Sequence, residues 1–334
     1  MWRLIALFLL AGLAFASVWI MEPAIDYYQS ANMNTLDITA FTAIDRFQDD
    51  PSVRRTVSLS VVVPAFNEVE RLPPMLDAAF EYLDSWASTT DSSYELVVVD
   101  DGSTDKTSEL VQTYMSIRPA LRLIRLHENR GKGAALKLGV RESVGHLVLI
   151  ADADGATEIS DLDKLLPALM QAVVMDDGIG GPVAMAIGSR AHLASQSVAT
   201  RAYYRTVLMR GFHFYVQLLV TKNVADTQCG FKLFTASAAK VLFQYLHLYR
   251  WAFDTELIYL AESLNIPIAE VAVNWREVEG SKLIKSKLDV VTTSLTMARD
   301  ILCMRLSYML RVWDSPHDTH DTHDKHDNVP TQEL

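Results

Sequence analysis

The chain reads as an α/β protein built on a mainly parallel sheet flanked by helices. Short runs rich in Val, Ile and Leu alternate with helix-like segments from residue 59 onward, the order expected of parallel strands joined by crossover helices. The strand-like runs at 59–63, 94–99, 146–151 and 183–187 end in polar clusters, at residues 64–68, 100–105, 152–154 and 188–190. In an open sheet of this kind ligands bind beyond the carboxyl ends of the strands. The four clusters are therefore expected to gather on one edge.

The first run, Leu59–Val63, stops at Pro64-Ala-Phe-Asn-Glu68, and an amphipathic helix is predicted from Leu72 to Trp86. The second run, Tyr94–Val99, ends at Asp100-Asp101-Gly-Ser-Thr-Asp105, where Ser103 or Asp105 is expected to cap a helix reaching about Ser116. Alternation after the strand is expected to turn Asp100 inward. Leu121–Leu126 is a third strand, and its two arginines predict a half-exposed position. Asn129–Ala135 opens a helix. A fourth strand ends at Asp152, and a fifth, Val183–Ile187, ends at Gly188-Ser-Arg190.

The formal net charge of −11 is concentrated outside this core, because residues 22–52 and 314–334 each hold six acids against one base. The stretch between them is nearly neutral and has none of the basic footprint of a nucleic-acid binder. Two cysteines, Cys229 and Cys303, exclude a disulfide framework and favour a reducing compartment. Leu4–Met21 is uncharged and apolar behind Arg3, just long enough for a helix of about 20 residues to span a bilayer. Residues 1–21 are read as a signal-anchor; Ala14-Phe15-Ala16 keeps a cleaved signal peptide as the alternative. Residues 22–57 read as an acidic stalk, and the His/Asp-rich 314–334 as a disordered tail. Residues 205–220 and the C-terminal helix at 291–313 are amphipathic, suited either to the bilayer surface or to packing on the sheet.

Asp152-Ala153-Asp154 carries the chemistry most directly. Two carboxylates at a strand end suit a hard cation, Mg²⁺ or Mn²⁺, shared with substrate phosphates. Gly131-Lys-Gly133 lacks the third glycine of a dinucleotide fingerprint, and neither a Walker-type loop nor zinc-type Cys/His spacing occurs.

Several runs together resemble one family: Val63–Glu68, Val99–Ser103, Asn129–Gly133, Ala151–Ala156, Gly188–His192, Asp226–Lys232, Arg250–Glu256 and Val273–Lys282. Residues 58–290 resemble the dolichyl-phosphate β-glucosyltransferases, inverting nucleotide-sugar enzymes of the Rossmann-like GT-A fold. The resemblance implies that Pro64, Phe66 and Glu68 line the nucleotide site, with strand termination and core packing the competing roles for Pro64 and Phe66. It implies that Val99 and Asp101 contact uridine, Asp101 through its carboxylate, and that Asp152, Ala153 and Asp154 meet the metal and the diphosphate. Lys132, Arg190, Arg205, Arg276 and Lys282 match positions near the donor diphosphate or the acceptor phosphate. Arg201 is one helical turn before Arg205 and is weighed more as a surface residue. Asp254 is expected to hold glucose or to orient an arginine. In related mannose synthases a glutamine completes the metal site; here that position is Ala156.

The implied partners are UDP-glucose, dolichyl phosphate and a lipid bilayer. The implied place is the endoplasmic reticulum membrane, single-pass, with the catalytic domain facing the cytosol, although Arg3 points the other way. Transfer of mannose or another sugar to a polyprenyl phosphate, and an inactive nucleotide-sugar-binding scaffold, are the rival readings. A processive polymer synthase would need more spanning helices.

Overall fold

The computed structural model describes residues 16–27, 41–44, 57–193, 203–278 and 287–314. Helix α1 spans 16–27. The strands are β1 (Phe41–Ile44), β2 (Leu59–Ala65), β3 (Tyr94–Asp100), β4 (Leu121–Leu126), β5 (Leu147–Ile150), β6 (Val174–Asp176), β7 (Gly181–Val183), β8 (Met185–Ser189), β9 (Lys232–Thr235) and β10 (Ile268–Ala272). The remaining helices are α2 (Leu72–Thr90), α3 (Thr107–Met115), α4 (Lys132–Glu142), α5 (Leu162–Ala172), α6 (Tyr203–Leu219), α7 (Ala236–Gln244), α8 (Phe253–Ser263) and α9 (Lys287–Met309).

The main sheet runs β1-β4-β3-β2-β5-β9-β8-β10, and β6 and β7 form a separate hairpin. Strands β4, β3, β2 and β5 pair in parallel, as do β8 and β10, while β1 and β9 run antiparallel to their neighbours. The mainly parallel sheet predicted from the sequence is therefore observed. Sequence reading also found β2 to β5. Val183 belongs instead to the small hairpin, so the fifth predicted strand begins at Met185. Strand β1 lies within the segment read as a stalk and adds an edge to the sheet.

The central strands are buried on both faces, which is why they read as continuous apolar runs rather than alternating ones. Leu59, Val61 and Val63 of β2 pack on one side with Leu76 and Phe80 of α2. Val62, with Val97 and Val99 of β3, packs on the other with Leu136 of α4 and Leu257 of α8. A third cluster joins Ala24 of α1, Val216 of α6, Ile301 and Met304 of α9, and Trp313. Helix α9 thus serves partly as core, while its Leu295 and Met309 are exposed.

Two local expectations are corrected. Ser103 does not cap α3, since it accepts from the Asn67 amide at 2.8 Å; Asp105 serves the helix start as expected, accepting from the Thr107 amide at 2.9 Å just ahead of Lys106 at the boundary. Arg122 is buried rather than half-exposed, because its guanidinium turns inward to Glu95 at 2.6 Å. Among the described residues no helix is long and apolar enough to cross a membrane. Residues 1–15 of the expected anchor and 315–334 of the expected tail lie outside the described residues.

Candidate active site

The loops after β2, β3, β5 and β8 lie at the same edge of the sheet: β2, β3 and β5 pair in parallel, and β8 shares their direction because it and β5 both run antiparallel to β9 between them. The period of two continues past β5: Ala151 and Ala153 are buried, while Asp152 and Asp154 are partly open. The side chains of Asp152 and Asp154 are 35% and 27% exposed. Both carboxylates already face protein cations. Lys132 Nζ donates to Asp152 Oδ1 at 2.5 Å, and Arg71 Nη1 stands 3.5 Å from Asp154 Oδ2. Arg71 also forks onto Glu68, at 2.7 and 2.5 Å. Burial works against the ionised Asp152 carboxylate, but Lys132, Lys232 and Arg190 outweigh it and hold its pKa below the usual carboxylate range.

Gly230 faces Asp152 so closely that a Cβ there would overlap the carboxylate. The Asp226–Lys232 run therefore bears on the site from across the sheet. Asp226 accepts both prongs of Arg190, at 2.7 and 2.9 Å, and the Arg190 main-chain amide at 2.9 Å. Arg190 lies 5.6 Å from the Trp275 ring centroid. Fully buried Lys232 pairs with Asp254 and donates to the Cys229 carbonyl. The protein cation that Asp254 pairs with is therefore a lysine, where an arginine was expected. Burial is the largest influence on Asp254 and raises its pKa despite Lys232 and Lys132 nearby.

The loop after β5 is stitched to the segment after β10. The Arg276 amide donates to the Ala156 carbonyl at 2.9 Å, and Thr157 bridges Trp275. A cavity of about 220 Å³ beside this seam is lined by Glu158, His192, Asn274, Trp275 and Arg276, among others. The Asp154 carboxylate accepts from the Ala156 amide at 3.0 Å.

The two acids after β3 behave differently. Asp100 is buried, accepting from the Ser103 amide at 2.8 Å and from the Ser108 hydroxyl, so it does turn inward. Asp101 is also buried, and its two oxygens accept from the Arg130 and Gly131 amides at 2.7 and 2.9 Å. Burial pushes its pKa up to about 6, against the pull of those amides. Its carboxylate is occupied by main chain in this structure. The Val99 side chain lies in the core, leaving only its main chain to meet a ligand. Pro64 is half-buried opposite Val99, and Phe66 is exposed beside it at the mouth. Arg205 lies in α6 without a described side chain, and Arg201 and Lys282 lie outside the described residues.

Sequence reasoning assigned no role to Arg71, Asp226, Gly230 or Lys232. Asp226, Gly230 and Lys232 sit in the 226–232 run that carries part of the family resemblance, and a lysine opening an otherwise apolar strand was the available signal for Lys232.

Among the described residues no third His, Cys, Asp or Glu joins Asp152 and Asp154. Two partly open hard-oxygen donors fit a divalent cation that substrate phosphates help to hold.

Residues 60–243 match the family model of Glycosyl transferase family 2, so the chain belongs to that family of glycosyltransferases. The "Dolichyl-phosphate beta-glucosyltransferase" of Homo sapiens is 48% identical over 263 residues, covering 77% of this chain and 78% of its own length. That of Dictyostelium discoideum is 47% identical over 261 residues, covering 77% and 76%. The chain belongs to the dolichyl-phosphate beta-glucosyltransferase family. Among solved structures, mannosyl-3-phosphoglycerate synthase from Rubrobacter xylanophilus superposes with a TM-score of 0.52 at 16% identity, over 80% of this chain and 81% of that one. This supports the GT-A type of fold.

Proposed function

We propose that the chain transfers glucose from UDP-glucose to dolichyl phosphate with inversion, giving dolichyl β-D-glucosyl phosphate and UDP. The observation that carries this is the 48% identity to a dolichyl-phosphate beta-glucosyltransferase over 263 residues. The reacting oxygen belongs to an acceptor phosphate that is already anionic, so no strong general base is needed. It attacks the anomeric carbon while the bond from that carbon to the UDP oxygen breaks, and an α-linked donor gives a β-linked product. Catalysis then rests on positioning and charge stabilisation. Lys132 and Arg190 are the cations that this reading places on the donor diphosphate; Arg205, Arg276 and Lys282 are assigned to the two phosphates by family position. The pairing of Asp254 with Lys232 is consistent with a mechanism that does not use Asp254 as the base.

Asp152 and Asp154 would hold Mg²⁺ or Mn²⁺, which would neutralise charge on the departing UDP. The lipid acceptor calls for membrane contact. Exposed Phe214 and Leu218 on α6, Leu295 on α9 and Trp19 on α1 support a bilayer-facing surface, and the apolar residues 1–21 support an anchor. The endoplasmic reticulum membrane, with the site facing the cytosolic nucleotide-sugar pool, follows from the same reading. The test is glucosyl transfer before and after EDTA treatment: activity should fall to background and return with Mn²⁺ or Mg²⁺. Full activity in excess EDTA would remove the metal from this account.

A further inference from the structure

Glu256 is fully buried, and the reaction outlined above does not use it. Its carboxylate gathers four donor groups. The His247 amide approaches both oxygens at 3.1 Å, the Leu248 amide donates at 2.6 Å and the Tyr308 hydroxyl at 2.8 Å, while His247 Nδ1 lies 3.0 Å from Oε1. The His247 ring stacks on Trp313 at 4.4 Å between centroids, and Tyr27 meets its edge at 4.5 Å. One carboxylate thus fixes the 246–250 turn from inside and ties it to the C-terminal helix α9. A carboxylate suits this place because it only accepts, whereas an amide side chain would turn an NH₂ toward donors.

The other side of that turn bears on Gly131-Lys132-Gly133. The Tyr249 carbonyl accepts from the Gly133 and Ala134 amides at 2.7 and 3.2 Å, closing the amino end of α4. Neither flanking glycine has room for a Cβ: one at Gly131 would stand 2.5 Å from the Tyr249 oxygen, and one at Gly133 2.7 Å from the Leu248 oxygen. Lys132 lies between them, reaching Asp152 at 2.5 Å. The Gly131 amide, in turn, holds Asp101. A shift of the 246–250 turn would therefore move Lys132 relative to the Asp152 pair.

We propose that Glu256 is a positioning residue for glucosyl transfer: by fixing the 246–250 turn it sets where Lys132 meets the donor diphosphate. This rests on the donor-site reading above. Its test is steady-state transfer by the full chain in membranes, with UDP-glucose and dolichyl phosphate varied separately. The variants are Glu256→Gln, Tyr308→Phe and Lys132→Ala, each with a melting curve. Glu256→Gln should raise the donor KM about tenfold and leave the acceptor KM within about twofold. Tyr308→Phe, which removes one donor and keeps the ring, should raise the donor KM about threefold. A merely structural role would lower the amount of folded enzyme without moving the donor KM. An unchanged donor KM in Glu256→Gln and Tyr308→Phe overturns the proposal. Where Glu256→Gln does not fold, Tyr308→Phe decides alone. A wild-type donor KM in Lys132→Ala would instead overturn the donor-site reading.

Discussion

At the amino ends of β2, β3 and β4, Ser60, Glu95 and Arg122 form a closed cluster of buried polar groups. Glu95 accepts from Ser60 at 2.5 Å, from Arg122 at 2.6 Å and from the Val144 amide at 2.8 Å, and the Arg122 and Glu95 side chains are only 8% and 5% exposed. At the carboxyl edge of the same sheet, Asp152, Asp154, Lys132 and Arg190 remain 18% to 35% exposed. The chemistry of the residues is alike at both ends, so residue type does not separate them. Access does: both sets are paired with protein groups, but the amino-end charges are closed off from solvent, whereas the carboxyl-end charges stay partly open to it. The first arrangement holds the sheet together; the second supplies electrostatics to a substrate.

Substitution should separate the two ends. Glu95→Ala should cost about 3–5 kcal/mol of stability, because it strands buried Arg122. Chemical denaturation should show that loss, with an unchanged donor KM in the enzyme that remains folded. Asp152→Asn should do the reverse, lowering turnover roughly 10²–10³-fold with cooperative melting retained; near-normal turnover would place Asp152 with the structural group. Gly230→Ala probes the carboxyl edge without removing a charge. The added methyl overlaps the Asp152 carboxylate, and a displacement of about 1 Å at a reacting centre costs on the order of 10²-fold in rate. A rate unchanged in Gly230→Ala would mean that the site is less rigid than its packing implies.

Asp101 sharpens the comparison from the same edge, since it is buried and bonded to main chain like the amino-end cluster. Its pKa of about 6 is raised by burial, so between about pH 4 and 6 the folded state binds more protons than the unfolded one. Stability from this group is present at the low end of that window and is lost as pH rises through it, by roughly 1–3 kcal/mol. Melting across that range should show this slope in the wild-type chain and a flatter profile in Asp101→Asn. Identical slopes would show that another group carries the effect.

The fold was legible wherever burial left a local trace. The β2 to β5 runs are continuous and apolar because helices cover both faces, and their polar ends marked the edge correctly. Strands β9 and β10 left little trace: β9 is four residues long and opens with a lysine, and β10 holds Glu270 mid-strand. Arg122 was misread because alternation in sequence does not reveal that Glu95 waits on the neighbouring strand. The same limit hid half of the candidate site. Asp152 and Asp154 declare themselves by spacing, but Asp226 serves Arg190 from 36 residues away and Lys232 reaches Asp254 across 22. Partnerships that close only through the sheet have no local sequence signal.

The most direct test of the central claim, that the carboxyl edge supports glucosyl transfer to a lipid phosphate, is the initial rate at which the purified chain moves labelled sugar into dolichyl phosphate. UDP-glucose and GDP-mannose should be offered as donors at equal concentration. Labelled lipid formed from UDP-glucose alone, as the β-anomer, is the result predicted here. Equal or faster transfer from GDP-mannose, or UDP-glucose binding with no lipid product, would contradict it.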